Sequence, residues 1–293
     1  MRLTTVICNY NTRGELARAL DSLLATQGDL AHEIIVVDNA SRDGSAAMVR
    51  ERFPTVKVIE SGANRWFSGG NNLGLRAASG DYTLILNPDT IMQPGVLHVL
   101  VAYLDVHPQV GAVTARMTFA DGTVQHNGSR FADYTDFLLS YTLLGAIFPR
   151  WRARRRRAMW YDGWDRGSTR AVEVAPGSCI MARRAILERI GYFDERLKLF
   201  FTDDDLCRRI IGTGAEIHYV AQATIIHDEH ASLNQVPRLT QRVYWEDLVE
   251  YVRKYHGAWA ARLLAALLVP TRVGMWVKHA LLKRSVHRGQ GSV

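Results

Sequence analysis

Leu84-Ile85-Leu86-Asn87-Pro88-Asp89-Thr90 is the stretch on which the reading of this chain turns. An apolar strand runs into a proline turn, and one carboxylate stands just past its end. Asp and Asn both favour turns and helix caps, which makes Asp89 a turn former. The same position is also where open α/β sheets bind ligands, outside the carboxyl ends of their strands. The residues on either side choose between the two.

Working outward, residues 1–118 alternate between a strand period and a helix period. Leu3–Cys8, Glu33–Asp38, Val56–Glu60, Tyr82–Asn87 and Gly111–Phe119 read as buried strands. Between them, Thr12 and Glu15 form a capping-box pattern ahead of Leu16, Leu20, Leu23 and Leu24. Ser45–Phe53 and Asn71–Ala78 read as helices, and Pro94 starts another with Val96, Leu97, Leu100 and Leu104 on its buried face. This alternation predicts a mainly parallel, doubly wound sheet flanked by helices. Beyond it the pattern loosens. The FADG at Phe119–Gly122 reads as a hairpin turn, Tyr134–Phe148 as a helix or lid, and Arg150–Arg157 as a charge run. Strand, tight turn, strand and helix return from Val172, and Asp203–Ile211 is helical. Glu216–Tyr219 and Thr224–His227 read as two short strands. Arg238–His256 is helical, as is the tail from Ala258 to Arg288 with a break at Pro270.

The totals set wide bounds. The chain has 293 residues, 47% hydrophobic and 22% charged, enough for a large α/β core and unlike a disordered protein. A net charge of +7 points to an anionic partner, with nucleic acid, nucleotide and anionic membrane all open. Cys8, Cys179 and Cys207 form neither a disulfide framework nor a metal-binding pair, which fits a reducing compartment. The N-terminus reads as a first strand, not a signal peptide, and no segment reaches the ~18 to 20 apolar residues of a membrane span. The expected location is cytoplasmic, with peripheral contact at the inner face of the cell membrane as a further option.

Polar residues cluster at the strand ends: Asn9 and Asn11 after the first, Asp38 and Asn39 after the second, Asn64 after the third, Asp89 after the fourth. Each alone is an ordinary turn former; four ends together argue for a site. Neither a dinucleotide-binding fingerprint nor a P-loop is present. The glycine-rich SGGNNLG, Ser68–Gly74, opens a helix whose N–H groups would face a phosphate, or its glycines serve packing.

VICNYN, VVDNASRDGS, NRWFSGGNNLGLRAASGDYTLILNPDT, APGSCIMARRA, GYFDE and DDDLCRR follow one another in order. As a set they resemble an inverting family 2 glycosyltransferase with the GT-A fold, and within it the bacterial rhamnosyltransferase-like branch. The likeness covers roughly residues 1–232. It implies a GT-A domain over 1–232, with 1–118 the nucleotide-sugar-binding half and 119–232 the acceptor and catalytic half. A C-terminal amphipathic helical extension then covers 233–293. It implies that Asn9, Asn11 and Asp38 bind the nucleoside, and that Asn64, Gly70, Asn71 and Asn72 line the donor site. Asp89 matches the metal-binding acid of the D-x-D motif, written N-P-D here, so Asn87 takes the place of the first acid. His227 matches the second ligand of a Mg²⁺ or Mn²⁺ ion, a hard cation that leaves sites for diphosphate oxygens. Asp203 matches the catalytic base. Acids favour the first turn of a helix through its dipole, but Asp203, Asp204 and Asp205 exceed what a cap needs, and crowding raises carboxylate pKa values. The chain departs from the family at Thr202, which stands for the usual Glu, and at Trp66, which stands for a common Gly and would strain glycine's backbone angles.

The implied reaction moves a sugar from a nucleotide diphosphate, dTDP-rhamnose by preference and a UDP-sugar otherwise, to a saccharide or lipid-linked saccharide. Arg150–Arg157, with Trp151 inside it and Trp160 just after, is either a solvated surface loop or a contact with acidic lipid or with the diphosphate of a lipid-linked acceptor. The tail has Leu263, Leu264, Leu267 and Leu268 as an apolar face, then Trp276 and Leu281 among Lys278, Lys283, Arg284 and Arg288. It is a membrane-surface helix or a packing helix. A nucleic-acid-binding module and a non-catalytic transferase relative are the competing classes. The first lacks a motif and leaves the strand-end acids unexplained.

Overall fold

The computed structural model describes the backbone of residues 2–227 and 237–289, and the side chains of 2–227 and 239–274. It divides into two compact units. One comprises Met1–Phe131 and Gly163–Asp247, the other Ala132–Asp162 and Leu248–Val293. The boundary expected at 232/233 falls among residues outside the described set.

The first unit is built on one sheet. Its strands are β1 Leu3–Asn9, β2 His32–Asp38, β3 Lys57–Glu60, β4 Tyr82–Leu86, β5 Thr90–Met92, β6 Val110–Thr118, β7 Arg170–Ala171, β8 Cys179–Arg183 and β9 Glu216–His227. They lie in the order β3-β2-β1-β4-β8-β6-β9-β5, with β7 also on β9. The pairings β3/β2/β1/β4 and β6/β9 are parallel. β8 runs antiparallel between β4 and β6, and β5 antiparallel on β9.

Strand residues alternate between the two faces. Leu3, Ile7, Ile34, Val36, Leu84 and Leu86 join one buried cluster with Leu16, Leu20 and Leu23 of α1 (Arg13–Thr26) and Leu97, Leu100 and Leu104 of α4 (Val96–Val106). Each such buried leucine contributes about 1.5–3 kcal/mol relative to exposure. α2 (Ser45–Arg52) adds Met48 and Val49 to the same cluster. The alternate residues Val6 and Val37 face α3 (Trp66–Ala77), where Gly74 lies against both. α8 (Arg184–Ile190) and α9 (Thr202–Ile211) follow later in the chain, and Ile186 and Ile210 meet over Gly111.

Several expectations change. The helix expected from Asn71 starts five residues earlier at Trp66, so Ser68–Gly74 lies inside it. The two strands expected at 216–219 and 224–227 are one, with a register shift where Ala115/Arg116 face Val220/Thr224. The capping box at Thr12 is absent: its hydroxyl donates to Asn9 Oδ1 at 2.6 Å, and Asp43 accepts the Arg13 N–H instead. The FADG hairpin is present, closed by Phe119 N–H to Thr123 O.

The second unit is helical. α5 (Tyr134–Tyr141) has a capping box of Asp133 and Asp136, and α6 (Leu144–Ile147) leads into α7 (Pro149–Met159). The arginine run is therefore a helix, tied to α5 through Arg155, which binds both Asp133 and Asp136. α10 (Pro237–Gly289) enters this unit from the first, and its break falls at Gly257, φ +88°, not at Pro270, which lies inside the helix. Only glycine takes that conformation without strain. Tyr134 donates to Ala260 O at 2.9 Å and Phe137 meets Tyr251 edge to face. Leu264 and Leu268 are buried while Leu263 is exposed, so the tail uses its leucines for packing. The side chains of Trp276, Lys278, Leu281, Lys283, Arg284 and Arg288 lie outside the described residues.

Candidate active site

The parallel strands β1, β2 and β4 end side by side, so their first loop residues share a rim; Asn9 pairs with Asp38, and Ile7 with Leu86. The loops after β1 and β2 are braided through Ser41. Its hydroxyl receives the Asn9 side-chain N–H at 3.1 Å and the Asn11 backbone N–H at 3.0 Å, while its own N–H donates to Asp38 Oδ1 at 2.8 Å. Asn11 holds a left-handed φ of +53° and accepts the Arg42 N–H. One oxygen of Asp38 is thus used inside the protein. The other, Oδ2, is buried and has no partner. A buried acceptor left this way is costly unless a ligand supplies a donor.

Asn39 organises the next turn. Its carboxamide oxygen accepts the Arg65 N–H at 2.8 Å, and its nitrogen donates to Asn64 Oδ1 and Trp66 O. Asn64 in turn accepts the Trp66 N–H, holding Trp66 at φ +60°. The strain expected at Trp66 is real, and this network sustains it. The half-buried indole lies with Lys198 Nζ 5.9 Å from its ring centre. Within α3, Gly70 is pressed against Cys8 Sγ, where a Cβ would collide. Asn72 is held by Phe193 and Glu195 through both ends of its carboxamide. Asn71 donates to Phe67 O and keeps a buried, unpartnered Oδ1. Gly70 and Asn72 are thus engaged within the protein, while Asn71 keeps one free carboxamide oxygen. Burial, then the nearby Asp38 charge, pushes the Cys8 thiol up to about 12.

At the other end of the rim, β5 carries Thr90 opposite His227. Asp89 is buried, and its Oδ1 lies 3.5 Å from His227 Nε2 with no hydrogen bond. Gln125, which sequence reasoning passed over, fixes the imidazole: its nitrogen donates to His227 O at 2.6 Å and its oxygen lies 3.2 Å from Nδ1. With the carboxamide so oriented, Nδ1 is the nitrogen that donates to Gln125, and Nε2 is the one that faces Asp89. A second residue that sets the tautomer of a metal-binding histidine is a recurrent arrangement. A buried carboxylate oxygen without a donor beside an imidazole nitrogen not used by Gln125 fits a divalent cation. Among the described residues no third His, Cys, Asp or Glu joins them.

Asp203 is reached through the loop Pro176–Ser178 at the entrance to β8. Gly177 N–H donates to Asp203 Oδ2 at 3.3 Å, while Ser178 O accepts from Asn87 N–H at 3.1 Å and Thr90 Oγ1 at 3.3 Å. One three-residue segment thus joins the catalytic-base candidate to the turn that bears Asn87 and Asp89. Burial raises the Asp203 carboxyl above the usual range. Its neighbour Asp204 is raised to about 7 by burial and then by the Asp203 charge, with Arg208 opposing. Asp205 plays a different part, since it is buried and accepts from Arg209 Nε at 2.8 Å, one turn on.

A second residue outside the sequence reading holds α9 in place. Asp247 of α10, buried, accepts the N–H groups of Lys198, Leu199 and Phe200 at 2.8–3.2 Å. On the other side of the same strap, Leu197 O and Lys198 O accept from Ser68 and Phe67 at the start of α3. Phe201 follows at φ +58°, and α9 begins.

A mostly parallel sheet of this order, flanked by helices, is of the GT-A class. Its solved likenesses agree in fold. A mannosyltransferase from Pyrobaculum calidifontis, in complex with GDP-Man and Mn²⁺, has a TM-score of 0.60 at 19% identity, over 99% of this chain and 82% of that one. S. aureus TarS with UDP-GlcNAc has a TM-score of 0.56 at 18% identity, over 92% and 72%. The chain belongs to glycosyltransferase family 2: the profile described as "Glycosyl transferase family 2" matches residues 4–191. Among curated relatives it is 26% identical to the N-acetylglucosaminyl-diphospho-decaprenol L-rhamnosyltransferase of Mycobacterium tuberculosis, over 88% of this chain and 86% of that protein. It is 27% identical to the rhamnosyltransferase WbbL of Escherichia coli, over 77% and 83%. The expected family and its rhamnosyltransferase-like branch are thereby supported. Among the described residues no helix is long and apolar enough to cross a membrane.

Proposed function

We propose that this glycosyltransferase moves a sugar from a nucleotide-diphosphate donor to a saccharide or lipid-linked saccharide by one displacement, with inversion at the anomeric carbon. The observation that carries the reading is the Pro176–Ser178 bridge. It ties a carboxylate of raised proton affinity to the turn holding Asp89, which in turn lies against His227. Asp203 accepts the proton of the acceptor hydroxyl as that oxygen attacks, and a base whose pKa approaches working pH suits this proton transfer. The Gly177 N–H keeps one Asp203 oxygen fixed and so aims the carboxylate. Asp38 Oδ2 accepts from the base or ribose of the donor, with Asn9 and Asn11 shaping the loop through Ser41. Asn64 holds the Trp66 turn beside it, and Asn71 offers its unpartnered carboxamide oxygen. Asn87 and Asp89 face the diphosphate. Asp89 and His227 would hold Mg²⁺ or Mn²⁺, which supplies Lewis-acid neutralisation of the leaving diphosphate.

The donor is dTDP-rhamnose in the reading that the two rhamnosyltransferase relatives favour. A UDP-sugar is the second reading, since a structural likeness binds UDP-GlcNAc. The name of the mycobacterial relative supports a lipid-linked acceptor, and with it a place at the cytoplasmic face of the membrane. Donor hydrolysis across a panel of dTDP-, UDP- and GDP-sugars with Mn²⁺ tests the proposal. Turnover of dTDP-rhamnose above the others is expected. Absence of hydrolysis and of thermal stabilisation by every donor overturns it.

A further inference from the structure

The corner between α6 and α7, within the second unit, presents apolar and cationic side chains together, and the transfer reaction uses none of them. Leu143, Ile147, Phe148 and Trp151 are exposed by 57%, 65%, 48% and 49%. Single exposed apolar residues are ordinary; four within nine residues make a patch that calls for a partner. Phe148 and Trp151 meet edge to face with centroids 6.2 Å apart, forming one aromatic knob.

The arginines around the knob divide by role. Arg155 is bound by Asp133 and Asp136 and pins α7 to α5. Arg157 lies 3.6 Å from Asp162. Arg150, Arg152, Arg154 and Arg156 are exposed and have no acidic partner among the described residues. α7 buries none of its side chains. Charge alone would suit a solvated face or a nucleic acid, but neither explains the exposed aromatic and aliphatic side chains. Apolar exposure alone would suit a second protein, whose interface core is depleted of charge. An interfacial layer of anionic lipid satisfies both: guanidinium groups meet phosphates while Trp and Phe enter the headgroup region.

We infer that the α6–α7 corner is a docking surface for an anionic phospholipid bilayer, with Phe148 and Trp151 inserted and Arg150, Arg152, Arg154 and Arg156 on the headgroups. This departs from a tail-based membrane contact, because Leu264 and Leu268 are already buried. It rests on the lipid-linked acceptor reading for its purpose but not for its test.

Flotation of the full chain with phosphatidylglycerol/phosphatidylcholine vesicles, and with pure phosphatidylcholine, supplies that test. The chain is expected to float with the anionic vesicles and to bind the neutral ones far more weakly. Replacing the four unpaired arginines by Gln is expected to weaken binding about 100-fold or more, and Phe148→Ser with Trp151→Ser to abolish the binding that survives high salt. Circular dichroism controls for folding. Should the multiple variants unfold, single Arg→Gln changes and a salt titration of the wild type give the same readout at smaller amplitude. Vesicle binding that ignores lipid charge overturns the inference. So does binding that these substitutions leave intact, or a wild-type dimer that the Ser variants dissociate without any vesicle binding. Donor hydrolysis measured in parallel keeps the two proposals apart: hydrolysis without flotation removes the docking surface alone, and flotation without hydrolysis removes the transfer reaction alone.

Discussion

Asp203 and Asp204 show how two adjacent carboxylates take different parts. Both are half-buried and both have raised proton affinity, yet only Asp203 receives the Gly177 N–H. Asp203→Asn is expected to lower kcat by about 10²–10⁴-fold while donor affinity, read by calorimetry, stays near wild type. In the proposed role Asp203 works only when ionised, so kcat of the wild type should fall as pH drops through a value above the ordinary carboxylate range. For stability the sign is opposite. An acid whose folded pKa is raised contributes no penalty below the unfolded value, ordinarily 3.8, and an increasing one as pH climbs towards about 7. Asp204→Asn should therefore raise Tm at pH 8 and leave it nearly unchanged at pH 4, a comparison that differential scanning calorimetry makes directly. Asn39 is the other decisive side chain. Its removal deletes three part-buried hydrogen bonds to the 64–66 turn, each worth about 0.5–1.5 kcal/mol, so Asn39→Ala should lower Tm and weaken donor binding together.

Among the elements, the strap 197–200 connects α3 to α9. Its carbonyls take the N–H groups at the start of α3 and its own N–H groups end on Asp247. A neutral side chain of the same shape at 247 accepts fewer of these bonds, loosening the strap ahead of Phe201 and the first turn of α9. Asp247→Asn is expected to lower kcat about tenfold or more with little change in donor KM, since charge-assisted hydrogen bonds are roughly twice as strong as neutral ones. A parallel loss of donor affinity would show the strap to serve the nucleotide side instead. The glycines of α3 are a second element-level constraint. Gly74→Ala places a Cβ into Val6 and against Val37, and should cost about 1–3 kcal/mol by overpacking, read as a shift in denaturation midpoint.

At the scale of the molecule, the proposed cation would join parts that the chain delivers separately: the β4–β5 turn, the β9 end and, through Gln125, the hairpin after β6. A ligand that binds only the folded state adds about 2.7 kcal/mol at a hundredfold excess over its Kd. Mn²⁺ should therefore raise Tm, EDTA should reverse this, and Gln125→Ala should weaken the response 10- to 100-fold in metal concentration. The strands and their acid-bearing ends were legible in sequence because buried strands and turn residues leave local periodicity. Asp38, Asp89 and His227 stand at strand ends as read. The direction of β8 was not legible, since a short apolar run looks the same either way along a sheet. Nor were Gln125 and Asp247: a single amide after a hairpin and one acid in a polar helix gain meaning only through partners far along the chain. The start of α3 at Trp66 was not legible because a left-handed backbone leaves no mark in the sequence, and the tail stayed open between a membrane-surface helix and a packing helix because packing leucines have the same spacing as a lipid-facing stripe.

Gln125 and His227 are 102 residues apart, and β9 is the last of the described strands to leave the ribosome. Long loops close slowly and at an entropic cost. The rim proposed to face the nucleoside, made from the first ninety residues or so, is local by comparison. Nascent chains halted before β9 would thus lack His227, and on the proposed site any metal capture during refolding would mark completion of the sheet's far edge.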